Sequence, residues 1–205
     1  MDAAGPTPLD LKVAELIARH GPLPFSQVMD LALYDPDHGF YASGGSAGRR
    51  GDFITSPEVG PLFGAVIARA LDSWWEDLGR PDPFVIVEGG AGVGTLAVSI
   101  LAARPRCARA IHYVLSERSA PLRRRQAEHL ELAETATALG PENGGDGPVA
   151  VSLAELPAGP LTGVVLANEL LDNLAFDLVA RTSDGWGEVR VGGGASGLVR
   201  HVVPA

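Results

Sequence analysis

The chain has 205 residues, 46% of them hydrophobic and 20% charged, enough for one soluble globular domain of generous size. Its net charge of −9, with Lys12 as the single lysine, argues against a general nucleic-acid binder, because phosphate neutralisation supplies most of that affinity, and suits a cationic ligand or substrate. No run reaches the roughly 18 apolar residues of a membrane helix, and Cys107, the only cysteine, excludes an intrachain disulfide and fits a reducing compartment. The first residues lack the charged and apolar blocks of a secretory signal. Asp2, Asp10 and Glu15 outnumber Lys12 and Arg19 there, which argues against a mitochondrial transit peptide, so a cytoplasmic location is expected.

Leu9, Val13, Leu16 and Ile17 recur at helical spacing, and Gly21-Pro22 stops that helix. A short helix over residues 25–33 follows, then a polar, Gly-rich loop over 35–51. Ser56 as N-cap and Pro57 at the first helical position predict the next helix. Its apolar stripe runs from Val59 to Leu78, with Trp74 and Trp75 as packing residues, and Gly79 sits where a left-handed cap belongs. Beyond Pro81 the pattern changes. Residues 84–87, 111–115, 149–153 and 164–167 read as strands, alternating with helices over 95–104 and 122–132. That alternation predicts an α/β fold with a doubly wound parallel sheet. Arg123, Arg124 and Arg125 fit a solvated helix face. Residues 176–181 and 188–191 flank Thr-Ser-Asp-Gly-Trp-Gly and predict a hairpin, placed at a sheet edge or in an insertion.

Gly90, Gly92 and Gly94 alternate between a strand and a helix, a loop that lets backbone approach a ligand closely. Glu88 ends the strand before it. Glu117 ends the next strand, roughly 20 residues past the loop, where an acid can accept from both ribose hydroxyls. Residues 92–97 can also be laid on the dinucleotide fingerprint, with Ala97 in the third place. Glu88 weighs against that, since a carboxylate repels a pyrophosphate and attracts the amino group and sulfonium of S-adenosylmethionine. A Gly-rich turn without a ligand and a merely buried Glu88 stay open.

The segment 88–96, Glu-Gly-Gly-Ala-Gly-Val-Gly-Thr-Leu, resembles the first motif of class I methyltransferases. Four further segments occur in order: 32–41 (ALYDPDHGFY), 51–58 (GDFITSPE), 116–119 with Leu122, Arg123 and Gln126, and 167–172 (ANELLD). Together they resemble the MidA family, whose mitochondrial members are protein arginine methyltransferases that assist assembly of respiratory complex I. The resemblance implies a seven-stranded class I methyltransferase sheet with a helical N-terminal extension. It also implies S-adenosylmethionine as cofactor and, for the mitochondrial members, symmetric dimethylation of a protein arginine. Against that pattern this chain is C-terminally short. The expected division is a helical extension and cofactor-capping loop over 1–80, then an incomplete Rossmann-like core over 81–205.

Within that family frame, Asp52, Thr55 and Ser56 are expected at the methionine end of the cofactor, although helix capping explains Ser56 equally well. Glu88, Gly90, Gly92 and Gly94 join them, Glu117 holds the ribose, and Asn168 lies at the carboxyl end of the fourth strand, where ligands of open α/β sheets bind. A guanidinium needs a carboxylate whose two oxygens match its fork, so Glu169 is the catalytic candidate, with Asp172 as a weaker helper. His38 reads as positional. His20, His38, His112, His129 and His201 are scattered and form no metal set. The expected partner is a protein with a target arginine, not a nucleic acid or a membrane. An unfinished sheet would expose a strand edge, which makes a dimer one expectation. A non-catalytic S-adenosylmethionine-binding remnant acting as an assembly factor, and an NAD-binding protein, are the alternatives.

Overall fold

The computed structural model describes residues 5–42, 61–135, 139, 147–194 and 197–204. They fall into two compact units, one from Met1–Gly44 and Leu171–Ala205, the other from Gly45–Leu170. These bounds differ from a division at residue 80.

The larger unit is the α/β one. Strands β2 (Phe84–Gly89), β3 (Ile111–Ser116), β4 (Val149–Leu153) and β5 (Gly163–Leu166) form a parallel sheet in the order β4-β3-β2-β5. The resemblance implies seven strands, and four are present among the described residues of this sheet. β2 and β3 lie between neighbours and every residue of both is buried, which explains their unbroken apolar runs. Phe84, Ile86, Ile111, Tyr113 and Leu115 point to one face. There they meet Leu71 of α3 (Pro61–Asp77) and Leu96, Ala97 and Ile100 of α4 (Thr95–Ala102). Val85, Val87, Val114 and Val151 form the core of the opposite face.

Helix α3 therefore belongs with the sheet, not with an N-terminal extension. Its Gly64 brings the helix backbone against Ser99 of α4, where a Cβ would stand 2.7 Å from the Ser99 carbonyl carbon. The Ser56 N-cap expected for this helix lies outside the described residues. Helix α5 (Ala120–Gln126) is shorter than its apolar pattern suggests. The Gln126 carbonyl accepts from both His129 and Leu130, the chain turns, and Leu132 joins β4 in a parallel bridge to Ala150. Tertiary pairing ends the helix.

The smaller unit unites the two ends of the sequence. Helix α1 (Pro8–His20) starts on a capping box: the Thr7 hydroxyl accepts from Asp10 N–H at 3.2 Å and the Asp10 carboxylate accepts from Thr7 N–H at 2.8 Å. The two-residue strand β1 (Leu23–Pro24) and helix α2 (Phe25–Tyr34) follow. Strands β6 (Leu178–Thr182) and β7 (Gly185–Gly194) form the expected hairpin, and β8 (Gly197–Pro204) pairs with the other edge of β7. β1 pairs antiparallel with β7 at Val191 and Arg190, so the hairpin belongs to a second sheet with the N-terminal helices and not to the parallel sheet. Val189 and Val191 are buried here together with Val13 and Leu23.

The polar stretch after α2 is wound up in its first residues. The buried Asp35 carboxylate accepts from the Lys12 ammonium and from the N–H groups of Asp37 at 3.2 Å and His38 at 3.1 Å. The Tyr34 hydroxyl donates to the Asn173 carbonyl at 2.9 Å and the Tyr41 hydroxyl to Asn173 Oδ1 at 2.8 Å. The motif around Asp35–Tyr41 thus ties this unit together, with the His38 N–H as one of its donors.

Candidate functional site

Three strands of the parallel sheet end at one edge. Glu88 pairs with Leu115 on one side and Leu166 on the other, so the segments after β2, β3 and β5 leave the sheet side by side. This is the carboxyl edge at which open α/β sheets take ligands.

The segment after β2 is the glycine loop. Gly90, Gly92 and Gly94 have φ of 68°, 55° and 87°, the left-handed region that a side chain disfavours. The loop is sewn to β3 by Gly90 N–H and Ala91 N–H, which both donate to the Ser116 carbonyl at 2.8 and 3.1 Å. Gly94 is the N-cap of α4 with no side-chain cap, leaving the first turn of that helix to the loop. Gly89 and Gly90 have a second reason to lack a Cβ. On either one it would stand 2.9 Å from a methyl of Leu170, the residue after Glu169.

The segment after β3 contributes Glu117. Its carboxylate is largely buried and accepts from Gly92 N–H at 2.9 Å and Ser119 N–H at 2.7 Å, while Arg123 donates to the carbonyls of Glu117 and Arg118, both at 2.7 Å. A carboxylate has about four lone-pair directions, so two backbone donors leave it able to accept from a diol. The segment after β5 contributes Asn168, half-buried, and Glu169, exposed, with φ of 50°. A non-glycine residue in that region costs on the order of 1 kcal/mol or more and is concentrated at functional positions.

Glu88 is placed differently from a simple ligand contact. It is 5% exposed, on the face shared with Phe84 and Ile86, and its Oε2 accepts from the Tyr113 hydroxyl at 2.6 Å. Burial pushes its carboxyl up to about 7, opposed by the Tyr113 hydrogen bond and aided by the negative charge of Glu117. Burial and the facing Glu88 charge push the Tyr113 phenol well above its ordinary range. Glu88 is therefore poised between charged and neutral forms at the base of the loop.

Glu88, the three glycines, Glu117, Asn168 and Glu169 thus gather at one edge of one unit. Asp52, Thr55 and Ser56 lie outside the described residues. Asp172 is exposed in a 3-10 turn, Leu171–Asn173, that belongs to the smaller unit, with Asn173 Nδ2 donating to its Oδ1 at 3.4 Å. Tyr113 and Leu170 escape sequence reasoning because both look like ordinary core residues. The one available signal is that a buried tyrosine hydroxyl needs a partner. Among the described residues no group of three or more His, Cys, Asp or Glu could hold a metal, and no helix is long and apolar enough to cross a membrane.

The residues present fit an adenosyl cofactor: a Cβ-free loop, a helix start and a carboxylate at the neighbouring strand end. A family model described as "Putative S-adenosyl-L-methionine-dependent methyltransferase" matches residues 66–199. The chain is 31% identical over 209 residues to the mitochondrial protein arginine methyltransferase NDUFAF7 of Mus musculus, covering 90% of this chain and 45% of that protein. It is 44% identical over 81 residues to the NDUFAF7 homolog of Drosophila melanogaster, covering 40% of this chain and 18% of that protein. It therefore spans less than half the length of these curated relatives. A crystal structure of a Burkholderia thailandensis protein bound to S-adenosyl-homocysteine matches with a TM-score of 0.73 and 30% identity, over 96% of this chain and 50% of that one. With the family model matched across most of its length, the chain belongs to the MidA-type family of S-adenosylmethionine-dependent methyltransferases.

Proposed function

We propose that the protein binds S-adenosylmethionine at the glycine loop and transfers its methyl group to an arginine of a protein substrate. The observation that carries this reading is the Gly92 peptide, left-handed and held by Glu117, with Glu169 at the end of the strand on the other side of the loop. The sulfonium supplies an electrophilic methyl carbon. Everything else falls to side chains and backbone. Glu117 accepts from the ribose hydroxyls, the loop and the first turn of α4 seat the methionine part, and Asn168 lines the same edge. Glu169 pairs with the guanidinium and aims one nitrogen at the methyl carbon; as the N–C bond forms the S–CH3 bond breaks, S-adenosyl-homocysteine leaves as a neutral thioether, and the proton lost by that nitrogen passes to Glu169. Asp172 is secondary. Asp52, Thr55 and Ser56 keep the methionine-end role implied by the family resemblance.

The arginine substrate is supported by the names of the relatives and by the net charge of −9, which suits a cationic partner. The single cysteine, buried at Cys107, supports a cytoplasmic setting. Titration calorimetry with S-adenosyl-homocysteine, paired with transfer of labelled methyl groups to arginine-containing proteins, tests the reading. The expected result is saturable binding and label on arginine. Binding without label on any protein replaces catalysis with a cofactor-binding assembly role. A response to NAD alone overturns the cofactor assignment.

A further inference from the structure

Gln126 closes helix α5 and is completely buried, yet it is polar. Among the described residues its side chain makes one hydrogen bond, from Nε2 to the Gly92 carbonyl at 2.8 Å, and its Oε1 has no partner. Burying a primary amide for a single hydrogen bond is poor value for stability, because the unpaired oxygen loses its water. A leucine or methionine of similar size would pack without that loss.

The position of the bond accounts for the amide. Gly92 is gripped at both of its polar atoms: Glu117 takes its N–H and Gln126 holds its C=O. The two side chains come from different elements, the end of β3 and the end of α5, and they fix one peptide pair in the left-handed region at the middle of the loop. The Gln126 stem also runs past the next glycine, where a Cβ on Gly94 would meet its Cγ at 3.8 Å and Leu115 Cδ2 at 3.0 Å. A ligand diol that donates to Glu117 takes the lone pairs the two backbone donors leave free, so both arms of the grip can hold with ligand bound.

We propose that Gln126 is a positioning residue for cofactor binding: its amide clamps the Gly92 carbonyl and, with Glu117 on the Gly92 N–H, keeps the glycine loop in the shape open to the ligand. The inference rests on the cofactor reading above and adds to it a residue that touches no substrate.

Two variants remove the donor while keeping a similar volume, Gln126→Met and Gln126→Leu. A third, Leu122→Ala, loosens α5 at a buried apolar position and leaves the Gln126 amide in place. Kd for S-adenosyl-homocysteine is measured at pH 8 for each, with hydrogen exchange of the ligand-free protein read over peptides covering 88–96. Both Gln126 variants are expected to weaken binding about tenfold and to speed exchange in the loop, with strands β2 and β3 still protected. Leu122→Ala is expected to lower the melting temperature and leave Kd within twofold of the wild type. A Kd within twofold for either Gln126 variant, or an equal loss in Leu122→Ala, overturns the proposal. The exchange arm needs no ligand, so unchanged loop exchange in both Gln126 variants refutes the clamp, whereas failure of the wild type to bind refutes the cofactor reading instead.

Discussion

Glu169 is the residue proposed to meet the substrate arginine. It is exposed and its backbone is left-handed, so the cost of its conformation is not repaid by burial of its own side chain. Glu169→Gln removes the charge and keeps the shape. We expect methyl transfer to arginine to fall by at least 100-fold, with Kd for S-adenosyl-homocysteine unchanged; full activity in this variant would rule out the role. Glu88 makes a different prediction. Its folded carboxyl is raised from 4.5 to about 7, so the unfolded chain releases that proton first as pH rises. The stability it contributes is complete below pH 4.5, is lost between 4.5 and 7, and stays lost above 7. The size is on the order of 3 kcal/mol. Glu88→Gln should abolish this slope and be the more stable protein at pH 8, as read by urea unfolding across that range.

At the scale of elements, the contact between α3 and α4 is set by one missing side chain. Gly64→Ala would improve helix propensity by about 1 kcal/mol. The added methyl, however, meets the backbone of Ser99, which cannot rotate away. Overpacking of that kind costs about 1–3 kcal/mol, so a net loss of up to about 2 kcal/mol is expected in thermal unfolding. The same scale shows what a sequence reveals. β2 and β3 were legible from their apolar runs, and the glycine loop and Glu117 from the alternating glycines after one strand and the acid that ends the next. The length of α5 was not, because its end is decided by pairing of Leu132 with Ala150. Nor were the bonds from Tyr113 to Glu88 and from Gln126 to Gly92, which depend on strand register and helix rotation.

At the scale of the molecule, one compact unit is drawn from both ends of the sequence for a physical reason. Ser26 bonds to Asp177, and Tyr34 and Tyr41 to Asn173, partners separated by more than half the chain. No local pattern encodes such pairings. The described site residues from Glu88 to Glu169 all belong to one unit. S-adenosyl-homocysteine at about 100 times its Kd should stabilise by roughly 2.7 kcal/mol. Hydrogen exchange should show that protection at the ends of β2, β3 and β5, and strong protection confined to β6–β8 would contradict the placement.

The ion pair between Lys12 and Asp35 has a practical consequence. Lys12 is the only side-chain amine in the molecule, and its partner is the carboxylate that ties the turn after α2. An amine-reactive dye therefore has one side-chain target, and a lysine-specific protease has one bond to cut. Both reactions are retarded while the turn holds, so the labelling rate of a single atom becomes a clock for the opening of the unit that joins the two ends of the chain.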